Sequence, residues 1–162
     1  MKIRNFEKKD VKAMTDIYNY HIQNTTVVFE TAPFSEEKMH GMIAEIALNY
    51  PVIIAESDDG ETIGYAYIHS WKSKPAYKTT AESTLYVRED MKGKGVGKKL
   101  LDELIDRSRA NGIHALVACI TADNSESIRF HLRNGFKKVS HFSEVGRKFD
   151  RWLDIEDFEL II

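Results

Sequence analysis

The stretch from Glu82 to Leu101 constrains the fold most, because a strand, a glycine-rich loop and a helix follow one another in it. Residues 84–87 (TLYV) are mostly β-branched or aromatic, which favours a strand. Three glycines then alternate with lysines, and apolar residues from Val96 onward recur at the spacing of one helix face. The order predicts a loop that connects a strand directly to the N-terminus of a helix.

This loop has the properties of an anion-binding site. Gly93, Gly95 and Gly97 lack a Cβ atom, so a ligand can approach the backbone closely and φ can be positive. The first N–H groups of a helix have no partner within the helix and lie at the positive end of its dipole. The interleaved lysines add charge without the fixed geometry of arginine, which suits a diphosphate contacted mainly by backbone.

Two well-known phosphate loops fit the stretch less well. A Walker loop has four residues between its glycines and then Lys-Ser or Lys-Thr, whereas Gly93 and Gly97 enclose three residues and Lys98 precedes Lys99. The dinucleotide fingerprint is G-x-G-x-x-G, whereas this chain has G-x-G-x-G after a strand in mid-sequence. A tight turn before an ordinary surface helix is the structural alternative.

Composition narrows the class of protein. The 162 residues are the usual size of one domain, and 43% apolar residues suffice for a substantial core. The net charge of -2 gives no general attraction to nucleic acid. Cys119 is the only cysteine, so a disulfide framework and zinc spacing are both missing, and the N-terminus lacks a signal-peptide pattern. We expect one soluble, cytoplasmic domain over residues 1–162, with no metal, nucleic acid or membrane partner.

The remaining periodicities predict helices around a mixed sheet. Strands are predicted over residues 2–6, 51–57, 62–71, 81–87, 114–120, 137–145 and 151–161. Helices are predicted from about residue 9, over residues 36–48 behind the N-cap Ser35, after the glycine loop, and from Asn124. The Asp59-Gly60 turn makes the second and third strands a hairpin. This order favours an α/β sandwich over a doubly wound sheet.

The glycine loop resembles the acyl-CoA loop of the GNAT superfamily of N-acyltransferases, whose pattern is Gln/Arg-x-x-Gly-x-Gly/Ala. Residues 92–97 (KGKGVG) match it, with Lys92 in place of the usual Gln or Arg. The resemblance implies a mixed, mostly antiparallel central sheet, flanked by helices and splayed at the acyl-CoA site, with acetyl-CoA as co-substrate. The residues that it assigns to the cofactor are Leu85, Tyr86, Val87, Lys92, Gly93, Lys94, Gly95, Val96, Gly97, Lys98, Asn124, Ser127 and Arg133. For Arg133, a solvated helix arginine is the equal alternative.

A second family pattern, Asn-x-x-Ala/Ser-x-x-x-Tyr-x-x-x-Gly-Phe, is matched by Asn124, Ser127, His131, Gly135 and Phe136. The histidine in place of tyrosine is familiar in the phosphinothricin N-acetyltransferase branch, which acetylates the α-amino group of phosphinothricin, methionine sulfone or methionine sulfoximine. Further matches to that branch are Tyr18-Asn19, Glu82-Ser83-Thr84, Gly146-x-Lys148-Phe149 and Trp152-Leu153-Asp154; a departure is Tyr77-Lys78, where the branch often has Phe-Arg.

Acetyl transfer from a thioester to an amine needs a neutral amine, a donor to the developing oxyanion and a proton for the thiolate. Glu82 is expected to take the ammonium proton, the backbone N–H of Val87 to bind the thioester carbonyl, and His131 to protonate the thiolate. The structural alternatives are a solvent-facing or substrate-orienting Glu82 and a packing His131. Cys119 lies inside an apolar strand, which argues against a cysteinyl acyl-enzyme.

Substrate contacts are expected beside the cofactor strand, on the basic loop before it, and from aromatic side chains. The candidates are Phe29, Phe34, Lys72, Lys74, Tyr77, Lys78, Glu82, Ser83 and Thr84. Phe29 and Phe34 could wall the pocket or fill core, whereas Trp71 is expected to fill core.

The resemblance implies direct attack on acetyl-CoA by a small amino-acid-like amine in a ternary complex, and a homodimer. The same cofactor site would also serve acetylation of a protein N-terminus or a polyamine. A non-catalytic acyl-CoA sensor is an alternative from another class. Nucleic-acid binding through the lysine-rich loop would require strongly salt-dependent affinity, and the acidic net charge opposes it.

Overall fold

The computed structural model describes residues 1–162, and its framework is an eight-stranded mixed sheet. The strands are β1 Lys2–Asn5, β2 Val52–Glu56, β3 Thr62–Ser70, β4 Thr80–Val87, β5 Ala115–Thr121, β6 Lys137–Lys138, β7 Phe142–Lys148 and β8 Arg151–Ile161. The helices are α1 Val11–Asn24, α2 Glu36–Ala47, α3 Val96–Ala110 and α4 Ser125–Arg133. The spatial order is β1-β2-β3-β4-β5-β8-β6, with β7 also paired to β8. Only β4 and β5 run parallel, so the predicted mostly antiparallel sheet is confirmed.

The predicted helix boundaries follow from local chemistry. The Ser35 hydroxyl accepts a hydrogen bond from the Lys38 N–H at 3.1 Å, which satisfies one of the unpaired donors at the start of α2. Glu36 and Glu37 then lie in the first turn, at the positive end of the helix. After α3, Gly112 has a φ of +77°, a conformation that ends helices and that other residues rarely adopt.

Apolar side chains form a core on each face of the sheet. α1 and α2 contribute Met14 and Ile43 to the first core, and α3 contributes Leu100 and Leu104 to the second. Fully burying a side chain of this size stabilises the fold by roughly 1.5–3 kcal/mol. Strand β4 is anchored from both faces of the sheet, because Tyr86 packs against the first core and Leu85 packs against the second.

The single strand predicted over residues 137–145 is wrong. The segment forms two strands, β6 and β7, which pair with successive parts of β8. Between them the Ser140 hydroxyl donates to the Asp157 carboxylate at 2.9 Å and accepts from the Asp157 N–H at 3.0 Å, so a side chain replaces the backbone ladder. Glu144 has a φ of +55° within an irregular part of β7, and the chain therefore closes with three strands instead of two.

Trp71 was expected in the core, and this expectation is wrong. The side chain is half-buried at the surface and belongs to neither apolar core. Its ring makes a T-shaped contact with Tyr77 at 5.3 Å, and the Lys72 ammonium lies 4.0 Å from its centroid. An indole at the end of β3 therefore packs against its own loop.

The sheet opens between its two parallel strands. β4 and β5 pair at three positions, Thr80–Glu82 with Ala115–Val117. Beyond them β4 stays paired with β3 through Val87, and β5 stays paired with β8 through Thr121. Each strand follows its outer neighbour, so a gap widens between them, as the predicted splay requires.

Candidate functional site

A cavity of about 550 Å³ occupies the gap between β4 and β5. Both strands line it, together with α1, α3, α4 and the loop that follows α1. The cavity brings together many of the side chains that the sequence nominated: Phe29, Glu82, Ser83, Thr84, Leu85, Tyr86, Asn124, Ser127 and His131. Residues from distant parts of the chain therefore meet in one cleft.

Strand β4 presents unused backbone donors to the gap. The Arg88 N–H donates to the Ile63 carbonyl at 2.9 Å, which fixes the even-numbered residues of β4 as those that bond to β3. The N–H groups of Leu85 and Val87 therefore point the opposite way, beyond the last residues paired with β5. Neither donates to a protein acceptor outside the ladders, so both are free to bind a carbonyl oxygen in the gap.

The glycine loop ends at the N-terminus of α3, as predicted. Gly93 and Gly95 have φ values of +71° and +80°, and Gly95 is the N-cap without a side-chain hydrogen bond. The N–H groups of residues 93–98 make no hydrogen bond to protein, because the first helical bond of α3 runs from Lys99 to Gly95 at 3.2 Å. A row of unpaired donors at the positive end of a helix is suited to bind an anion.

The lysines of the loop have carboxylate partners of their own. Lys92 Nζ lies 2.7 Å from Glu89 and 3.9 Å from Glu126, which begins the first turn of α4. Lys98 is paired with Asp102 one turn along α3. The unpaired backbone N–H groups are therefore the main donors of the candidate anion site. The lysines add positive charge, which the neighbouring carboxylates partly neutralise.

Helix α4 supplies a capped N-terminus and a buried histidine. The Asn124 Oδ1 accepts the Ser127 N–H at 3.1 Å, which leaves the carboxamide NH2 of Asn124 available to a ligand. His131, one turn after Ser127, is 9% exposed and lies edge-on to Phe136 with the ring centroids 5.0 Å apart. This packing fixes the imidazole at the wall of the cavity.

The protonation state of His131 follows from its hydrogen bond. Its Nδ1 lies 2.9 Å from the Ser127 carbonyl oxygen, which can only accept, so Nδ1 carries the hydrogen. Burial lowers the pKa of His131, and the bond to Ser127 opposes that shift. The ring is therefore neutral at pH 7, with an unprotonated Nε2.

Glu82 lies half-buried at the point where β4 leaves β5. Burial raises the pKa of its carboxyl; the nearby His69 lowers it, and the Asp157 carboxylate on β8 raises it further. A carboxylate with a raised pKa in a cleft is a better proton acceptor than an exposed glutamate.

Cys119 is the exposed residue of the otherwise buried strand β5, and it faces the cavity. Desolvation of the sulfur and the carboxylates of Glu82 and Asp157 raise its pKa to about 12. The thiol is therefore protonated at neutral pH and a weak nucleophile.

Several predicted residues lie away from the cavity. Phe34 is buried in the first core, 5.0 Å from the Tyr18 ring. The side chain of Val87 borders a separate pocket of about 350 Å³, although its N–H faces the gap. Four candidates on the loop before β4 and one at the end of α4 are exposed outside it: Lys72, Lys74, Tyr77, Lys78 and Arg133.

Sequence reasoning gave no role to Lys148, which holds one wall of the cavity in place. This lysine is 6% exposed on β7, and its ammonium donates to the carbonyls of Thr25 at 2.8 Å and Val28 at 2.6 Å, with that of His21 at 3.5 Å. These bonds order the segment that carries Phe29. Only the family match at residues 146–149 pointed to Lys148, because a buried charge is not visible in strand periodicity.

The structure contains neither a cluster of metal ligands nor a membrane-spanning helix. No group of three or more His, Cys, Asp or Glu side chains is arranged to hold a metal ion. None of the helices combines the length and the apolarity needed to cross a bilayer.

Comparison with known proteins identifies the family. Residues 3–156 match the Acetyltransferase (GNAT) domain family. The L-methionine sulfoximine/L-methionine sulfone acetyltransferase of Pseudomonas paraeruginosa is 36% identical, with 98% of this chain and 92% of that protein aligned. The phosphinothricin N-acetyltransferase of Streptomyces coelicolor is 33% identical, with 98% of this chain and 95% of that protein aligned. The chain belongs to the GNAT acetyltransferase family.

Solved structures agree with this assignment. The yncA acetyltransferase from Salmonella typhimurium, solved with its cofactor acetyl-CoA, has a TM-score of 0.93 and 36% identity, covering 99% of this chain and 93% of that one. The ribosomal-protein-alanine N-acetyltransferase from Brucella melitensis has a TM-score of 0.97 and 31% identity, covering 100% of both chains. The cleft between β4 and β5 therefore belongs to an acetyltransferase fold.

We predict that Cys119 reacts slowly with iodoacetamide. A rise in pKa from 9.0 to about 12 depletes the thiolate, and its higher nucleophilicity offsets only part of the loss, so alkylation at pH 7 should be about 30-fold slower than for free cysteine. Glu82→Gln should speed the reaction, because it removes a neighbouring negative charge. Asp106→Asn, which changes an exposed carboxylate of α3, is the control. Rapid labelling, with a rate that reaches half its maximum below pH 9, would contradict the raised pKa of Cys119.

Proposed function

We propose that this chain is an acetyl-CoA-dependent N-acetyltransferase that acts on the amino group of a small amino-acid-like substrate. The observation that carries the proposal is the cleft between β4 and β5, with unpaired donors of the glycine loop beside it and Glu82 where the strands part. The names of the relatives, which include methionine sulfone and phosphinothricin acetyltransferases, support this class of substrate.

The proposed cofactor position uses the free backbone donors. The diphosphate would bind the N–H groups of residues 93–98, and the pantetheine arm would run along the open edge of β4 toward the Asn124 carboxamide. The N–H of Val87 would then donate to the thioester carbonyl, where negative charge develops during attack. The residues around these donors are Leu85, Tyr86, Lys92, Lys94, Ser127 and Arg133.

The proposed reaction is direct transfer in a ternary complex. Glu82 takes a proton from the substrate ammonium, the freed nitrogen lone pair attacks the thioester carbon, and the carbon–sulfur bond breaks. A route through an acyl-cysteine is disfavoured, since the protonated Cys119 would be the attacking group.

The raised pKa of Glu82 predicts the pH dependence of kcat/KM. As pH decreases, kcat/KM should begin to fall at a higher pH than it would if the base were a glutamate with an ordinary pKa.

His131 is the proposed proton donor to the departing thiolate, but its Nε2 carries no proton at the start of the reaction. The neutral ring has its hydrogen on Nδ1, engaged by Ser127, so Nε2 must first gain a proton. The attacking nitrogen loses a second proton as the amide forms, and Nε2 can take that proton and pass it to sulfur. A packing role is the simpler alternative for a ring held between Phe130 and Phe136.

Substrate would enter from the side of the cavity walled by Phe29 and Glu30. Ser83 and Thr84, which follow the proposed base on β4 and line the cavity, would contact the amine. Contacts from the exposed loop before β4, which includes Lys72 and Lys78, would require this loop to move toward the cleft or to act from a second subunit. Its positive charges suit a substrate carboxylate.

The resemblance to a ribosomal-protein-alanine N-acetyltransferase favours a second candidate, acetylation of a protein N-terminus. The same cofactor site would serve it, with the peptide crossing the mouth of the cleft. Competition between small amino acids and an Ala-initiated peptide in one assay separates the two candidates.

We further propose one cytoplasmic domain over residues 1–162 that forms a homodimer. Large apolar side chains are exposed on neighbouring strands β7 and β8, among them Phe142, Val145 and Trp152. Large exposed apolar side chains often mark a protein interface. Sedimentation that gave a monomer at micromolar concentration would contradict the dimer.

Two glycines with positive φ provide a matched test of the anion site. Gly95→Ala forces a side chain into a left-handed conformation and should cost about 1–2 kcal/mol of folding stability. Gly60→Ala, at φ +85° in the turn between β2 and β3, should cost a similar amount. By calorimetry, acetyl-CoA affinity should fall about tenfold in the first variant alone, and equal affinities would remove the loop from the cofactor site.

Turnover decides between an enzyme and a sensor. Thiol release from acetyl-CoA should occur with methionine sulfone, methionine sulfoximine and phosphinothricin, and should be weaker with spermidine. The assay follows free coenzyme A with a thiol reagent under saturating acetyl-CoA. Acetyl-CoA binding without release across the amine panel would leave a non-catalytic acyl-CoA-binding protein.

A further inference from the structure

His69 lies directly opposite Glu82 in the antiparallel pair of β3 and β4. Side chains opposite each other on such a pair project from the same face of the sheet, so the two groups lie side by side. His69 Nε2 is 3.8 Å from Glu82 Oε1. A small rotation of either side chain, or one bridging water, closes that distance to a hydrogen bond.

The orientation of the imidazole is set by its other nitrogen. His69 Nδ1 lies 3.1 Å from the carbonyl oxygen of Ser70. Since a carbonyl oxygen only accepts, Nδ1 carries the hydrogen, and the neutral tautomer would present the lone pair of Nε2 toward Glu82. The His69 side chain is 35% exposed, so this ring connects the carboxyl with bulk water.

The reaction leaves a proton that has to be removed. An ammonium substrate and a thioester give an amide, a free thiol and one proton, since the second proton of the nitrogen goes to the sulfur. If Glu82 accepts the first proton, the carboxyl must lose it before the next substrate can react. Burial of Glu82 favours the protonated acid, so an acceptor beside it shortens that step.

We propose that His69 is a positioning residue for Glu82 and the outlet for its proton. The O–H bond of the protonated carboxyl breaks, an N–H bond forms at Nε2 of His69, and the imidazolium returns the proton to water. This inference rests on the proposed function, because it extends the role given to Glu82. His69 itself touches neither the amine nor the thioester.

The surroundings of Glu82 contain one neutral base able to serve as this outlet. Tyr67 on β3 is a buried phenol whose pKa is raised to about 12 by burial, so it stays protonated. Cys119 on β5 is also protonated at neutral pH. Asp157 on β8 is a carboxylate that disfavours charge on Glu82. Among these neighbours of Glu82, only His69 offers a nitrogen acceptor that is exposed to solvent.

The test is the pH dependence of turnover in His69→Gln, with the amine and acetyl-CoA both saturating. Glutamine keeps a polar side chain of similar reach and cannot carry the proton. We expect kcat to fall about fivefold to tenfold near pH 7.5, with the KM for the amine changed less than twofold and the loss shrinking above pH 8.5, where hydroxide and buffer accept the proton. Added imidazole should restore kcat in proportion to its unprotonated form.

Two further variants make the outcome decisive. His114→Gln changes an exposed histidine just before β5 and should match wild type at every pH. Glu82→Gln should lower kcat/KM by about 100-fold and should not respond to imidazole. A His69→Gln enzyme with wild-type kcat and no imidazole response, beside an impaired Glu82→Gln, overturns the outlet and leaves the proposed function standing. No turnover by the wild-type chain with any amine overturns both.

Discussion

The parting of β4 from β5 after three paired residues is the constraint on which the site depends. Two parallel strands left unpaired expose backbone donors that a continuous sheet would consume. Here the donors belong to Leu85 and Val87, and they open onto a cavity lined by both strands. β4 stays ordered without further hydrogen bonds to β5, because it pairs with β3 and packs against apolar cores on both faces of the sheet. A rigid strand with one free edge is the result.

The chemistry of the cleft is divided between backbone and side chains. Residues 93–98 offer N–H groups whose positions are fixed by positive φ at two glycines, so the proposed anion recognition needs no side chain at those positions. The proposed proton transfer instead depends on burial, which raises the pKa of Glu82 and of Cys119 and lowers that of His131. The same desolvation therefore makes one group a better base and removes another as a nucleophile.

The sequence predicted the features that are local in the chain. Glycine spacing, the N-caps and the helix stop at Gly112 depend on neighbouring residues, and the structure confirms these elements. Tertiary contacts were less predictable. The side-chain bonds of Ser140 interrupt a strand that alternation makes continuous, and the ammonium of Lys148 reaches carbonyls more than a hundred residues away in sequence. The position of His69 directly opposite Glu82 depends on the register between β3 and β4, which periodicity alone does not give.

A crystal structure of the acetyl-CoA complex is the decisive test of the proposed cofactor position. We expect diphosphate oxygens within about 2.7–3.2 Å of the N–H groups of residues 93–98, with the thioester carbonyl facing the N–H of Val87 in the gap between β4 and β5. A diphosphate bound elsewhere, or an acyl group outside that gap, would contradict it.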